Sequence, residues 1–234
     1  MNAQKVAIVT AAGKGMGAAI ARDLASSGYR VALMSPSGSA VKLAEELGGI
    51  GISGSVEVEA DIDRLVRETL DNYGRIDAVV NNTGHPPMGD LLALTDDEWL
   101  TGLNLILLNV IRMLRRVTPV FESQGGGSVV NISSFAAVSP AQIMPVSSTL
   151  RAGLSAFTRL YAERYASKSI RINSVLPGYI DSWQAPEEFV AGLPAKRLGT
   201  VEEISKTVTF LLSDGAGYLT GQNIRVDGAL VSAL

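Results

Sequence analysis

Short apolar runs recur along the chain, and each is followed by a stretch with helical spacing. Strands are predicted over residues 6–9, 31–34, 50–54, 76–80, 128–132, 170–175 and 223–226, the first a run of four apolar or β-branched residues and the others short stretches built around Val, Ile or Leu. Between them lie helical patterns. The first follows Gly17, with Ile20 and Leu24 on one face and Gly28 as a stop signal. Others cover 41–47, 61–73, 96–121, 146–166 and 201–212, three of them closed by Gly48, Gly74 and Gly125. In the second of these, Leu65, Val66, Thr69 and Leu70 share the inner face. Strands alternating with helices through short connections imply a doubly wound parallel sheet of about seven strands, flanked by helices on both faces. No repeat or linker interrupts the pattern, so residues 1–234 read as a single α/β domain of Rossmann type.

The first strand leads into Gly13, Gly15 and Gly17, and then directly into a helix. That order is the dinucleotide fingerprint: glycines let backbone approach a pyrophosphate, and the helix N-terminus offers free N–H groups. The formal charge of −3 argues against a sequence-independent nucleic-acid partner, which calls for a basic face. Without cysteine and with one histidine, His85, disulfides, thiol catalysis and cysteine or histidine-rich metal sites are excluded, and no metal is expected. The first strand begins within a few residues of Met1 and no apolar run reaches membrane-spanning length. The expectation is a cytoplasmic protein with no membrane partner.

Several motifs together resemble the short-chain dehydrogenase/reductase family, across essentially the whole chain. The segment from Thr10 to Gly17 resembles its TGxxxGxG turn, with Ala11 where the first glycine usually stands. Asn81, Asn82, Thr83 and Gly84 resemble NNAG; Asn131 to Ser134 resemble the strand end carrying the catalytic serine. Pro177, Gly178, Ile180 and Ser182 resemble the PGxIxT segment that meets the nicotinamide carboxamide. Gly221, Gln222 and Val226 to Gly228 match the C-terminal strand and its flank.

The resemblance implies a nicotinamide dinucleotide held by Gly13, Lys14, Gly15, Met16 and Gly17, with Asn82 and Gly84 near its ribose. An acidic residue after the second strand commonly selects NAD. Here Ser35 stands there, with Ser37 close by, and Lys14 occupies a place where NADP-using members often carry a base. A lysine can neutralise a 2′-phosphate, so NADP(H) is preferred over NAD(H). Ser55 falls where an aspartate often meets the adenine, so that contact is weakened or replaced.

The family's chemistry uses a tyrosine acid with a lysine four residues on, and this chain contains no Tyr-x-x-x-Lys. Ser134 aligns with the catalytic serine. Thirteen residues later stands Ser147, and four further, on the same helical face, Arg151. Counting back from Pro119 puts Ile106 at the position of the family's helix asparagine, with Asn104 and Asn109 nearby. A serine hydroxyl is a far weaker acid than a phenol of pKa about 10. Arginine can bond ribose hydroxyls but cannot relay a proton. Two functions remain open: reduction of a small carbonyl-like group (C=O, C=N or activated C=C) with His85 or Ser147 in place of the tyrosine, or a catalytically silent NADP(H)-binding regulatory relative. A non-redox elimination or isomerisation by His85 is a third. Tyr179 is a further phenol near the site.

Residues 183–198 correspond to the substrate-covering segment; with Trp183, Phe189 and Leu193 they suggest a modest, apolar substrate. The acidic run Asp96 to Glu98 answers a helix dipole, Arg112, Arg115 and Arg116 read as a solvated or subunit-facing stripe, and Tyr161 and Tyr165 as packing residues. Family members commonly form tetramers, so a homo-oligomer (tetramer or dimer) is expected, with the apolar end 229–234 suited to an interface.

Overall fold

A computed structural model describes residues 4–232. Its seven strands are β1 (Val6–Thr10), β2 (Arg30–Ser35), β3 (Ile50–Ser53), β4 (Ala78–Asn81), β5 (Gly127–Ile132), β6 (Ile170–Pro177) and β7 (Asn223–Val226). They form one all-parallel sheet in the order β3-β2-β1-β4-β5-β6-β7. The helices are α1 (Gly15–Ser26), α2 (Ser39–Leu47), α3 (Glu59–Tyr73), α4 (Asp96–Leu103), α5 (Asn109–Gln124), α6 (Pro145–Tyr165), α7 (Glu187–Gly192) and α8 (Val201–Leu212).

Successive strand residues face opposite sides of the sheet, and both sides are covered at its centre, which is why β1, β2 and β4 read as nearly unbroken apolar runs. Ala7, Val9, Val31 and Leu33 meet Ile20 and Leu24 of α1 and Ile204 and Val208 of α8 on one side. Ile8, Met34, Val79 and Val129 meet Leu65 of α3, Met113 and Val117 of α5 and Leu154 of α6 on the other. Chain order reverses between β1 and β4, the switch point where such sheets leave a crevice at their carboxyl edge.

The predicted 96–121 helix starts where the sequence puts it and is corrected in its interior. It opens on a capping box, Thr95 accepting from the Glu98 N–H while the Glu98 carboxylate accepts from that of Thr95. It is then interrupted by a π-helical turn over Asn104–Leu108 before α5 runs on to Gln124. Beside that turn Gly102 allows α4 close to α6: a Cβ there would stand 2.1 Å from Val146 Cγ1. The covering segment also differs from a plain loop, since α7 forms within it behind Pro186, with Glu187 and Glu188 in its first turn.

Arg112 and Arg116 are not a free stripe. Arg116 pairs with Asp63 at 2.6 Å and Glu59 at 2.7 Å, and Arg112 donates to the Glu57 carbonyl, so both tie α5 to the α3 region; Arg115 stays exposed. Tyr161 and Tyr165 do stack, with ring centroids 4.5 Å apart.

Under the carboxyl edge runs a buried polar ladder. Asn81 Nδ2 donates to Asn131 Oδ1 (2.9 Å), Asn131 Nδ2 to Thr158 Oγ1 (3.1 Å), and Thr158 lies 3.2 Å from the Ser174 hydroxyl. It joins β4, β5, α6 and β6 where each delivers residues to the crevice. Asn131→Ala leaves the Asn81 amide and the Thr158 hydroxyl short of partners in a dry core, so a loss of about 2–4 kcal/mol is expected in urea unfolding, at an unchanged m-value.

Candidate functional site

β1 ends in a turn built for close backbone approach. Gly13 faces Ser35 and Ser39, and a Cβ on it would fall 1.9 Å from Ser39 Oγ. Lys14 is extended and exposed, Gly15 sits at φ +54°, and α1 starts there with no side-chain cap on its free N–H groups. A Cβ on Gly17 would lie 2.3 Å from the Ala11 carbonyl oxygen and 2.8 Å from Asn82 Nδ2. Met16 packs against the α1 core. The turn is stapled to β4 by Thr10, whose hydroxyl donates to the Asn82 carbonyl (2.7 Å) and accepts from the Asn82 N–H (3.0 Å). Asn82 Nδ2 in turn donates to the Ala11 carbonyl (3.2 Å). These uncapped N–H groups and Cβ-free approaches fit a pyrophosphate.

Ala11, standing where glycine is usual, adopts φ +46°. A left-handed L-residue costs about 1–2 kcal/mol, part of which glycine returns as unfolded-state entropy. Ala11→Gly is therefore expected to raise stability by about 0.5–1 kcal/mol, read as a higher melting temperature.

Between the end of β2 and the start of α2, three serine hydroxyls gather. Ser35 Oγ is buried and accepts from the Ala40 N–H (3.0 Å), so it caps α2; Ser39 Oγ is 3.3 Å from it and 2.7 Å from Ser37 Oγ. Ser39 was not singled out from sequence, because its place depends on how α2 returns to the sheet. After β3, the Ser55 N–H donates to Asp61 Oδ2 (2.9 Å), and Arg64 donates to Asp61 Oδ1 (2.9 Å). Both oxygens of the Asp61 carboxylate, in the first turn of α3, are thereby engaged beside Ser55.

At the other end, Ser147 and Arg151 meet beside β5. Arg151 Nε donates to Ser147 Oγ (3.1 Å) and Nη1 to the Ile132 carbonyl (2.9 Å), with both side chains buried. Burial in this uncharged setting pushes the Arg151 guanidinium down to about 10. Ser134 follows β5, its hydroxyl accepting from the Ala136 N–H (3.2 Å). Thr83 Oγ1 and Ser133 Oγ are buried without a hydrogen-bond partner. Ile106 is buried within the π turn, whereas Asn104 and Asn109 donate back to the Leu100 and Leu105 carbonyls of their own helix. His85 and Gly84 are exposed beyond β4, before the buried Pro86.

Pro177 ends β6, and the Gly178 N–H donates to the Val226 carbonyl (3.0 Å); a Cβ on Gly178 would strike Asp227 Cα at 2.8 Å. Ile180 is buried and bridges to Gly199, and Ser182 Cβ lies 3.4 Å from where a Cβ on Gly15 would stand. The β6 tail therefore reaches the glycine turn. Tyr179 sits in an aromatic cluster, its ring 5.2 Å from Phe135, 5.5 Å from Trp183 and 4.8 Å from Phe189. Tyr161 is remote from this edge: it bonds Thr118 at 2.6 Å and burial raises its phenol to about 12. A cavity of about 740 Å³ opens between the 193–199 segment, α8 and the end of β7; Tyr179 and Ile180 line it, but Ser134, Ser147 and Arg151 do not.

The family described as Enoyl-(Acyl carrier protein) reductase matches residues 10–230. A 3-oxoacyl-[acyl-carrier-protein] reductase of Pseudomonas aeruginosa is 35% identical, over 97% of both chains. Its counterpart in Staphylococcus epidermidis is 31% identical, over 97% of this chain and 98% of that one. Among solved structures, L-sorbose reductase of Gluconobacter frateurii, complexed with NADPH and L-sorbose, superposes with a TM-score of 0.89 at 25% identity, over 99% of this chain and 98% of the other. A 7α-hydroxysteroid dehydrogenase complexed with NADH gives 0.91 at 27%, over 98% and 95%.

Proposed function

The chain belongs to the short-chain dehydrogenase/reductase family, and from that premise we propose that it is an NADP(H)-dependent oxidoreductase reducing a small carbonyl-like substrate through an altered active site. The observation that carries this reading is the Ser147–Arg151 pair, buried and hydrogen-bonded at the end of β5, on the same sheet edge as the glycine turn. The nicotinamide cofactor supplies the hydride when bound. Gly13 to Gly17, Asn82, Gly84, Pro177, Gly178, Ile180 and Ser182 would hold it, with Arg151 on the nicotinamide ribose. Lys14, Ser37 and Ser39 favour a 2′-phosphate, and no carboxylate follows Ser35 to repel one. Ser55, through its N–H on Asp61, shapes the adenine end.

Ser134 polarises the substrate carbonyl. Ser147 Oγ accepts from Arg151, which leaves its own O–H to donate to the substrate oxygen. His85, exposed past β4, is the second proton source, since an imidazole can serve as general acid. A His85→Ala variant with full activity between about pH 5 and 9 returns the role to Ser147. A second reading, a silent NADP(H)-binding regulatory relative, draws support from the same pair: neither serine nor arginine is a good acid, and the phenol of Tyr161 is spent on Thr118. We place the protein in the cytoplasm as a homo-oligomer. Of the apolar end expected at the interface, residues 233 and 234 lie outside the described residues.

The test is NADPH fluorescence titration with NADH as control, followed by NADPH consumption with ketones, imines and activated alkenes. Binding with turnover on any class supports the reductase, and binding without turnover on all of them supports the silent relative. Failure of both nucleotides to bind overturns both readings.

A further inference from the structure

The crevice end of β5 is rich in donors and poor in negative charge. Arg151 is more than nine-tenths buried, and its two hydrogen-bond acceptors, Ser147 Oγ and the Ile132 carbonyl, are neutral. Among the described residues it forms no ion pair with a carboxylate, unlike Arg75, Arg116 and Arg197. Among the described residues, the remainder of its five N–H donors have no partner. The surrounding groups do not compensate. Ser134 accepts from the Ala136 N–H and Ser147 from Arg151, so both have an O–H to give. Ser133 Oγ is buried with no partner at all, although its backbone N–H continues the ladder to the Val175 carbonyl.

A buried, uncompensated cation is costly to fold around. That cost falls away when an anion enters, because a charge-assisted, bidentate contact to a guanidinium is strong in a dry site. Serine at position 147 also removes the one group that would itself become an anion there, so the counter-charge has to arrive with a ligand. Holding a ribose hydroxyl uses a neutral acceptor and leaves the charge unmatched.

We propose that the substrate is an oxo acid, a small carbonyl compound whose carboxylate is bound by Arg151 beside the Ser134 and Ser147 hydroxyls. This rests on the reductase reading above and narrows its substrate from a modest apolar compound to an anionic one.

The experiment is calorimetric titration of the NADPH-saturated protein with pyruvate and acetoacetate, each beside its methyl ester, repeated on cofactor-free protein. Binding of at least one acid more than about tenfold tighter than its ester is expected, since a charged contact contributes more than a neutral one. The preference is expected to vanish in Arg151→Met and to persist, weakened, in Arg151→Lys. Arg151→Met is expected to melt at or above the wild-type temperature, because it removes the buried charge. Esters binding as well as acids, no binding of either, or an acid preference surviving in Arg151→Met would each overturn the proposal. Absence of NADPH binding instead sinks the reductase reading, and the titrations without cofactor still decide whether Arg151 selects a carboxylate.

Discussion

Gly17→Val is expected to abolish nucleotide binding and to lower the melting temperature together. The valine Cβ would begin 2.3 Å from a backbone oxygen, Ala11 O, and 2.8 Å from the Asn82 amide. The first is backbone and cannot swing aside; the second ends a side chain whose amide is tied by a hydrogen bond to that same Ala11 carbonyl. Relief requires α1 to retreat from the turn or β1 to part from Asn82, and both moves dismantle the cradle that the uncapped N–H groups form. We expect a loss of about 2–4 kcal/mol in unfolding free energy. We also expect a rise in the NADPH dissociation constant of more than about a hundredfold, equivalent to about 2.7 kcal/mol. Gly153→Ala is the control. Its Cβ meets nothing within 4 Å on the exposed side of α6, so it should stabilise by about 0.5–1 kcal/mol and leave binding alone. Retention of wild-type NADPH affinity in Gly17→Val would place the nucleotide elsewhere.

The second large effect is a gain. Combining Ser147→Tyr with Arg151→Lys restores a phenol beside an ammonium on one face of α6. A cation near a phenol lowers its pKa from about 10, and a positioned general acid contributes about 10²–10⁴ in rate. On neutral ketones, kcat is expected to rise within that range, with a new ionisation in its pH profile. Ser147→Tyr alone should give less, because the rigid guanidinium remains bonded to the Ile132 carbonyl. If the double variant binds NADPH normally and gains nothing, proton supply is not what limits this site, and the reductase reading weakens.

β1, β2 and β4 were legible because they are buried almost throughout and spell apolar runs of strand length, whereas the edge strand β7 exposes Asn223 and Arg225 and shows only as an alternation around Ile224 and Val226. The π turn was not legible. Ile106, Val110, Met113 and Val117 keep a helix-like spacing straight through it, so hydrophobic periodicity carries no mark of the extra backbone residue. α7 hid for the opposite reason: it is short and has too few apolar positions for a period, although Pro186 followed by Glu187 and Glu188 is a start signal that could have been read. Within the site, Ser147 and Arg151 were legible because an i,i+4 spacing needs only one helix. Ser39 and Asp61 were missed, and Thr10 was read only as the start of the glycine turn, because their partners arrive from other elements and no local pattern announces a contact made by tertiary packing. The unpaired state of Arg151 belongs with them, since a lone arginine in sequence does not say that every carboxylate lies elsewhere.

The aromatic cluster also gives the molecule a built-in optical probe. Trp183 lies 5.5 Å from Tyr179 and 5.1 Å from Phe189, and the adjoining Ser182 abuts the glycine turn. The other tryptophan, Trp99, is on α4, in a separate part of the chain. In a Trp99→Phe background, emission would come from one indole poised between the nucleotide cradle and α7. Occupation of the cradle and displacement of α7 would then register as two distinct changes, in intensity and in anisotropy, without any added label.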